Sequence, residues 1–180
     1  MSNEMPIVAC TDSSNVFCTQ SDPMAYTFFG WTGIAAALVF ANFGSAYGTA
    51  RSGIGIGPMS VTRPNLVYKS LIPVVMAGIL GIYGLIVSVI LISKVKFSNT
   101  FGAYQGFKIM ASGLCCGLSS LASGFAIGVV GEHGVRAYAM NEDFYVGLIL
   151  ILIFAEAIGL FGLIIAIILS NVGTAVSGSG

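Results

Sequence analysis

The residue whose type and position could do chemistry is a carboxylate inside an apolar stretch. Glu156 is the only charged residue between positions 144 and 170, which read FYVGLILILIFAEAIGLFGLIIAIILS. An ionisable group at the centre of a membrane helix costs about 2.5–3.5 kcal/mol on insertion scales, and hydrocarbon favours the neutral acid over the carboxylate. We therefore predict that Glu156 binds and releases a proton reversibly, which is the least that proton transport through a membrane requires. A buried acid that only bonds to backbone or serine is the structural alternative.

A partner for this acid can be sought among the polar residues of the other apolar stretches. None of these stretches contains a basic residue, and Arg51 and Lys108 lie only at their edges. We therefore expect any cationic partner to belong to another subunit. Tyr83 lies near the middle of the second stretch, at a depth similar to that of Glu156. Because a tyrosine hydroxyl in hydrocarbon needs a hydrogen-bond partner, we predict a contact between Tyr83 and Glu156, within one protomer or across a protomer boundary.

The other reactive side chains form no recognisable catalytic or metal site in the sequence. The single histidine, His133, lies in a polar segment and is expected to be solvated. The adjacent Cys115 and Cys116 are expected to be small buried residues, whereas Cys10 and Cys18 could pair if their segment faced an oxidising lumen. The glycine-rich GTARSGIGIG lacks the GxxxxGK[ST] pattern of a phosphate-binding loop. The sequence predicts no cofactor, no bound metal and no nucleotide site, and the transported ion would be the proton.

The composition indicates that lipid is the solvent of this chain. Of its 180 residues, 56% are hydrophobic and 8% are charged, whereas soluble domains carry about 25% charged residues. Too few polar side chains remain to cover a surface that faces water. The formal net charge of zero leaves no basic surface for nucleic acid.

Charged residues divide the chain into four apolar spans, each near the roughly 20 residues that cross a hydrocarbon core as a helix. Backbone groups in lipid must be satisfied internally, so helices are predicted for all four. The fold class is therefore an all-α membrane protein with four transmembrane helices. The predicted spans are 23–50, 70–93, 109–131 and 144–170, and the predicted connectors are 51–69, with Pro58 and Pro64 as breakers, 94–108 and 131–143. The predicted organisation is a polar tail at 1–25, one helical hairpin at 26–97, a second at 98–171 and a flexible tail at 172–180.

The two predicted hairpins resemble each other at an offset of 78 residues. In the second span MAGILGIYGLIVSVIL aligns with FAEAIGLFGLIIAIIL of the fourth span, which places Gly84 opposite Gly162 and Tyr83 opposite Phe161. The pattern indicates an internal duplication in parallel orientation. Glu156 aligns with Gly78, so building a hairpin does not require the acid.

Small residues recur at helical spacing in the first and third spans. The first span has Gly30, Gly33, Ala37, Ala41, Gly44 and Gly48, and the third has Gly113, Gly117, Gly124 and Gly128. Such stripes let helix backbones approach closely in lipid. They predict either the crowded inner wall of a tight ring or ordinary packing within one chain.

Long runs of this sequence resemble the c-type proteolipid family of eukaryotic vacuolar-type proton ATPases. The resemblance rests on SLIPVVMAGILGIYGLIVSVIL, LILILIFAEAIGLFGLIIAIIL, GTARSGIGI and GFAIGVVGEHGVR, and it covers about residues 26–171. It implies a ring of identical or paralogous c-type subunits, with the first and third helices inside and the second and fourth outside. It also implies that Glu156 in FAEAIGL carries the proton and that Tyr83 supports it.

The resemblance further implies partners and a location. A stator membrane protein would supply an arginine that releases the proton from Glu156, and central-stalk subunits would bind the cytoplasmic face. ATP hydrolysis in other subunits would drive rotation and acidify an organelle lumen, with the chain in a vacuolar or other endomembrane. The alternatives are a four-helix channel or junctional pore, in which Glu156 would line an aqueous lumen, and a structural membrane scaffold.

Overall fold

A computed structural model describes residues 23–95 and 103–171. Of the two predicted tails, these residues include only the last three positions of the N-terminal one. The possible pairing of Cys10 with Cys18 and part of the second predicted connector also lie outside them.

The described part of the chain contains four long helices. Short helical turns at Pro64–Leu66 and Val67–Ser70 connect the first to the second, and a turn at Glu142–Phe144 connects the third to the fourth. All four are long and apolar enough to cross a membrane, which confirms the predicted fold class. The helices are α1 (Pro23–Thr62), α2 (Ile72–Lys94), α3 (Ala103–Met140) and α4 (Tyr145–Asn171).

The predicted connectors at 51–69 and 131–143 are wrong over most of their length, because α1 and α3 continue through them. Pro58 lies inside α1, and a hydrogen bond of 2.9 Å from the Arg63 amide to the Met59 carbonyl closes the end of this helix. The helices contain 40 and 38 residues, or about 60 Å at 1.5 Å per residue. Since a hydrocarbon core is about 30 Å thick, both helices extend well beyond it.

Glycines hold α1 and α3 at very short range. A Cβ atom built on Gly44 would lie 2.7 Å from the Ser120 carbonyl oxygen, and one on Gly55 would lie 2.8 Å from the Glu132 carbonyl oxygen. Gly113 packs on the backbone of Gly33 in the same way. The same close approach to the other helix holds at Gly48, Gly117, Gly124 and Gly128. The predicted small-residue stripes therefore pack α1 against α3 within one chain, and their place in a ring stays a prediction.

The packing of α2 and α4 repeats the duplication seen in the sequence. Gly84 of α2 packs on Ala37 and Ala41 of α1, and Gly162 of α4 packs on Cys115 and Ser119 of α3. Each pair of positions is related by the same offset of 78 residues. Both helices keep large apolar side chains exposed on their other side, as expected of surfaces that face lipid or another membrane protein. They include Val75, Ile82, Leu85 and Val89 of α2 and Phe154, Ile158, Phe161 and Ile165 of α4.

Candidate proton-binding site

The predicted contact between Tyr83 and Glu156 is present in the structure. The Tyr83 hydroxyl of α2 donates a hydrogen bond of 3.1 Å to Oε1 of Glu156 on α4. Both helices belong to the same protomer. Both side chains lie near the middle of helices that cross the membrane in the same direction, and this is the reason the sequence could predict the pair.

Apolar side chains form the wall behind this pair. Ala155, directly before Glu156, is buried in a cluster with Leu80 of α2 and Ile127 of α3, and Tyr83 packs against the same cluster. Glu156 itself is half-buried. Successive helical residues point about 100° apart, so Ala155 faces the protein interior while Glu156 lies at the edge of α4 that faces α2.

No cation contacts this carboxyl group among the described residues. The ion pairs in the described ranges involve Glu132 and Glu142 and leave Glu156 out. Its hydrogen-bond partner there is a neutral hydroxyl. A neutral acid is thus accommodated with one hydrogen bond, whereas a carboxylate would have no compensating charge among the described residues.

The equivalent place in the first hairpin is empty. A Cβ atom built on Gly78 would meet nothing within 4 Å. The counterpart of Tyr83 is Phe161, whose ring is 63% exposed and carries no hydroxyl. The counterparts of the pair, Gly78 and Phe161, therefore cannot form this hydrogen bond, and the duplicated position packs without a polar pair.

The comparisons with known proteins agree with this arrangement. The family described as the ATP synthase C-subunit matches residues 32–91 and again residues 110–169, two segments that begin 78 residues apart. The V-type proton ATPase 16 kDa proteolipid (c-subunit) of Nephrops norvegicus is 57% identical over 150 residues, which cover 83% of this chain and 94% of the relative. The chain is a member of this proteolipid family.

Other relatives extend the same match across animals and fungi. The 16 kDa proteolipid of the V-type proton ATPase of Rattus norvegicus is 53% identical over 84% of this chain and 97% of its own length. The V-type proton ATPase c-subunit of Candida tropicalis is 54% identical over 83% of this chain and 92% of its own length. Both hairpins of the proteolipid, including the segment around Glu156, lie within the family match.

The sequence analysis missed a second polar site in this proteolipid, a buried ion cluster on α3. Glu132 is 7% exposed. Its Oε2 lies 3.1 Å from Nη1 of Arg51, and its Oε1 lies 3.0 Å from Nη2 of Arg136. The spacing of Glu132 and Arg136, four residues apart, is the signal that could have revealed an ion pair on a helix. The assignment of 131–143 to a connector hid it.

A salt bridge next to this cluster joins the turn after α1 to the turn after α3. Nη1 of Arg63 lies 2.9 Å from Oε1 of Glu142, so the turn after α1 contacts the turn after α3. Both side chains are exposed, and such a pair contributes little to stability. His133 is exposed as predicted, although it lies on α3 and not in a connector.

The cysteines of α3 are both free thiols within the described residues. Cys116 is fully buried in an apolar cluster with Ile34, Val87 and Ala166, as predicted for a small core residue. Cys115 is half-buried, so the prediction is correct for one of the two. The described ranges contain no group of three or more histidine, cysteine or acidic side chains that could hold a metal ion.

Proposed function

We propose that this chain is the proton-carrying proteolipid of a V-type ATPase rotor and that Glu156 is the group that binds the proton. The observation that supports this most directly is the position of Glu156. It is a half-buried acid within an apolar membrane helix, and its one hydrogen-bond partner among the described residues is the Tyr83 hydroxyl. Ionisable groups inside membrane segments mark ion pathways and proton relays.

The chemistry required of the site is reversible protonation. The neutral acid passes through hydrocarbon without exposing a charge, whereas an ionised side chain at the centre of a membrane helix costs about 2.5–3.5 kcal/mol on insertion scales. The Tyr83 hydroxyl stabilises the carboxylate when the proton leaves, because it donates a hydrogen bond to the charged form. The stronger stabilisation comes from a cation outside this chain, which we propose is an arginine of a stator membrane protein.

Membership of the family supports proposals about the other subunits of the complex. The c-subunit family forms rings with other V-ATPase subunits, and the chain is a multi-pass integral membrane protein of endomembranes. We propose that identical or paralogous protomers complete the ring, with α1 and α3 inside. We also propose that central-stalk subunits bind its cytoplasmic face and transmit rotation driven by ATP hydrolysis elsewhere in the complex.

The packing at the level of Glu156 does not favour a pore within one protomer. The space between α2, α3 and α4 is filled by Leu80, Ile127 and Leu152, all of which are fully buried. A channel lumen at this depth would need polar or small side chains in these places. Glu156 lies at the edge of this packed region, where a neighbouring protein of the complex can reach it.

Glu156→Gln tests the proposal, because glutamine keeps the shape and hydrogen-bonding capacity of the acid but cannot exchange a proton. In membrane vesicles that contain the assembled ATPase, the variant should abolish ATP-driven proton uptake while leaving ring assembly intact. A hydrophobic carbodiimide should label Glu156 in the native chain, with protection at high pH. Glu142→Gln, in an exposed ion pair, is the matched control and should pump normally. Normal acidification by Glu156→Gln would refute the assignment.

A further inference from the structure

Ser123 of α3 contacts the helix that carries Glu156. Its hydroxyl, fully buried, donates a hydrogen bond of 2.7 Å to the backbone carbonyl of Ala155, the residue directly before Glu156. The helical hydrogen bonds of α4 do not need this donor. The bond therefore connects α3 to α4 at the level of the proton-binding site.

Two further contacts surround this hydrogen bond. A Cβ atom built on Gly159, one turn after Ala155, would lie 3.5 Å from the Ser123 hydroxyl oxygen and 2.6 Å from Cδ2 of Leu80. Leu80 lies on α2, one turn before Tyr83. The serine is thus packed where α2, α3 and α4 meet, directly behind the pair formed by Tyr83 and Glu156.

The duplicated hairpin supplies an internal comparison. Ser45 of α1 is the counterpart of Ser123 and lies in the same place against Gly81, the counterpart of Gly159, with its Oγ 3.4 Å from a Cβ atom built there. The hydrogen bonds of the described residues do not include one from the Ser45 hydroxyl to Ala77, which precedes Gly78. The interhelical bond accompanies the hairpin that has an acid and is absent from the one that has a glycine.

We infer that Ser123 is a positioning residue, which fixes the rotation of α4 about its axis so that Glu156 faces the Tyr83 hydroxyl. This inference rests on the proposed function of Glu156. Side chains extend about 5–6 Å from a helix axis, so a rotation of about 20° moves the carboxyl group by roughly 2 Å. Such a displacement breaks a hydrogen bond that starts at 3.1 Å, because bonds beyond about 3.5 Å are not effective.

Few other ionisable groups lie near enough to affect this site. Tyr83 on α2 is the titratable group in contact with Glu156. From α3, the Cys116 thiol contacts the Tyr83 carbonyl at 3.9 Å. Glu132, nine positions beyond Ser123 on α3, is paired with arginines. A change in the protonation of Glu156 on mutation of Ser123 would therefore act through the hydrogen bond from Tyr83.

The test is the pH dependence with which a hydrophobic carbodiimide labels Glu156 in vesicles that contain the assembled ATPase. Ser123→Ala should move the midpoint of labelling upward by about 0.3–1 pH unit, since weakening one hydrogen bond to the carboxylate favours the protonated acid. Tyr83→Phe should move it in the same direction by at least as much. The double variant should shift no further than Tyr83→Phe alone, because Ser123→Ala acts through the Tyr83 hydrogen bond that Tyr83→Phe has already removed.

Ser112→Ala is the matched control. The Ser112 hydroxyl, also fully buried, donates a hydrogen bond of 2.7 Å to the Ala166 carbonyl, so it joins the same two helices away from Glu156. Its removal should leave the midpoint of labelling unchanged. Full labelling of each variant at acidic pH verifies that the site is folded.

Three results would overturn the inference. The first is an unchanged midpoint in Ser123→Ala, and the second is an equal shift in Ser112→Ala, which would indicate general loosening of α4. The third is a double variant whose shift equals the sum of the two single shifts. Failure of the proposed function would give a result distinct from these three, because native Glu156 would then remain unlabelled at every pH. That result would overturn the inference as well.

Discussion

The buried ion cluster around Glu132 allows a quantitative prediction about stability. Glu132→Gln keeps the shape of the side chain and removes the charge that Arg51 and Arg136 share, at distances of 3.1 and 3.0 Å. Breaking a fully buried ion pair costs about 3–5 kcal/mol, and breaking an exposed pair costs about 0–1 kcal/mol. Here the glutamate side chain is 9% exposed but the arginines are 41% and 47% exposed. Solvent therefore screens part of the effect.

The geometry lowers the expected value further. Oε2 of Glu132 has an ion-pair contact with Arg51 but no partner with hydrogen-bond geometry among the described residues, whereas the contact with Arg136 is a hydrogen bond. We expect Glu132→Gln to lower the free energy of unfolding by about 1–3 kcal/mol, between the limits for buried and exposed pairs. Unfolding of the purified protein by SDS in mixed detergent micelles measures this quantity.

Glu142→Gln is the control for this measurement. Glu142 pairs with Arg63 at 2.9 Å, and the two side chains are 59% and 49% exposed, so the loss should stay below about 1 kcal/mol. High salt should abolish the effect of Glu142→Gln and preserve most of that of Glu132→Gln, because buried pairs are screened less. Equal losses for the two variants, or equal sensitivity to salt, would refute the assignment of Glu132 to a structural ion cluster.

Two pairs of glycines allow further predictions, and in each pair one glycine is the control for the other. The same unfolding measurement tests both pairs. Gly84→Ala should destabilise the protein by about 1–3 kcal/mol through overpacking against α1. Gly78→Ala, six positions earlier on the same helix, should be neutral or slightly stabilising, because its Cβ meets nothing within 4 Å. Similarly, Gly55→Ala should destabilise, since the new Cβ would lie 2.8 Å from the Glu132 carbonyl oxygen, whereas Gly57→Ala has open space. Equal effects within either pair would contradict the packing described for α1, α2 and α3.

The membrane spans and the contact between Tyr83 and Glu156 could be predicted because they depend on features that are local or repeated. Lipid requires long uncharged helices, so the spans follow from the positions of charges. Tyr83 and Glu156 lie near the middle of spans that cross the membrane in the same direction, which places them at similar depth without knowledge of the packing. The contact between them then follows from the need of a buried hydroxyl for a partner.

The helix ends and the supporting residues could not be predicted, because they depend on contacts between helices. The glycines and Pro58 near the end of α1 have low helix propensity and suggested a connector. In the structure Gly55 is needed for the close approach of α1 to Glu132, and tertiary packing stabilises the helix in spite of its composition. Ser123 gives no local signal, since its importance depends on the direction of its hydroxyl toward α4.

The duplication with one acid has a consequence for energy conversion. In the proposed rotor ring each protomer contributes two hairpins to the circumference, and we propose that only the hairpin with Glu156 carries a proton, since the other has Gly78 in the same place. Such a ring moves half as many protons per turn as a ring of equal size with an acid on every hairpin. If ATP hydrolysis supplies a fixed free energy per turn, each proton receives twice as much of that free energy. Gly78 in place of an acid therefore lowers the number of protons moved per turn. It raises the free energy available to each proton, so the protons can be driven against a steeper gradient.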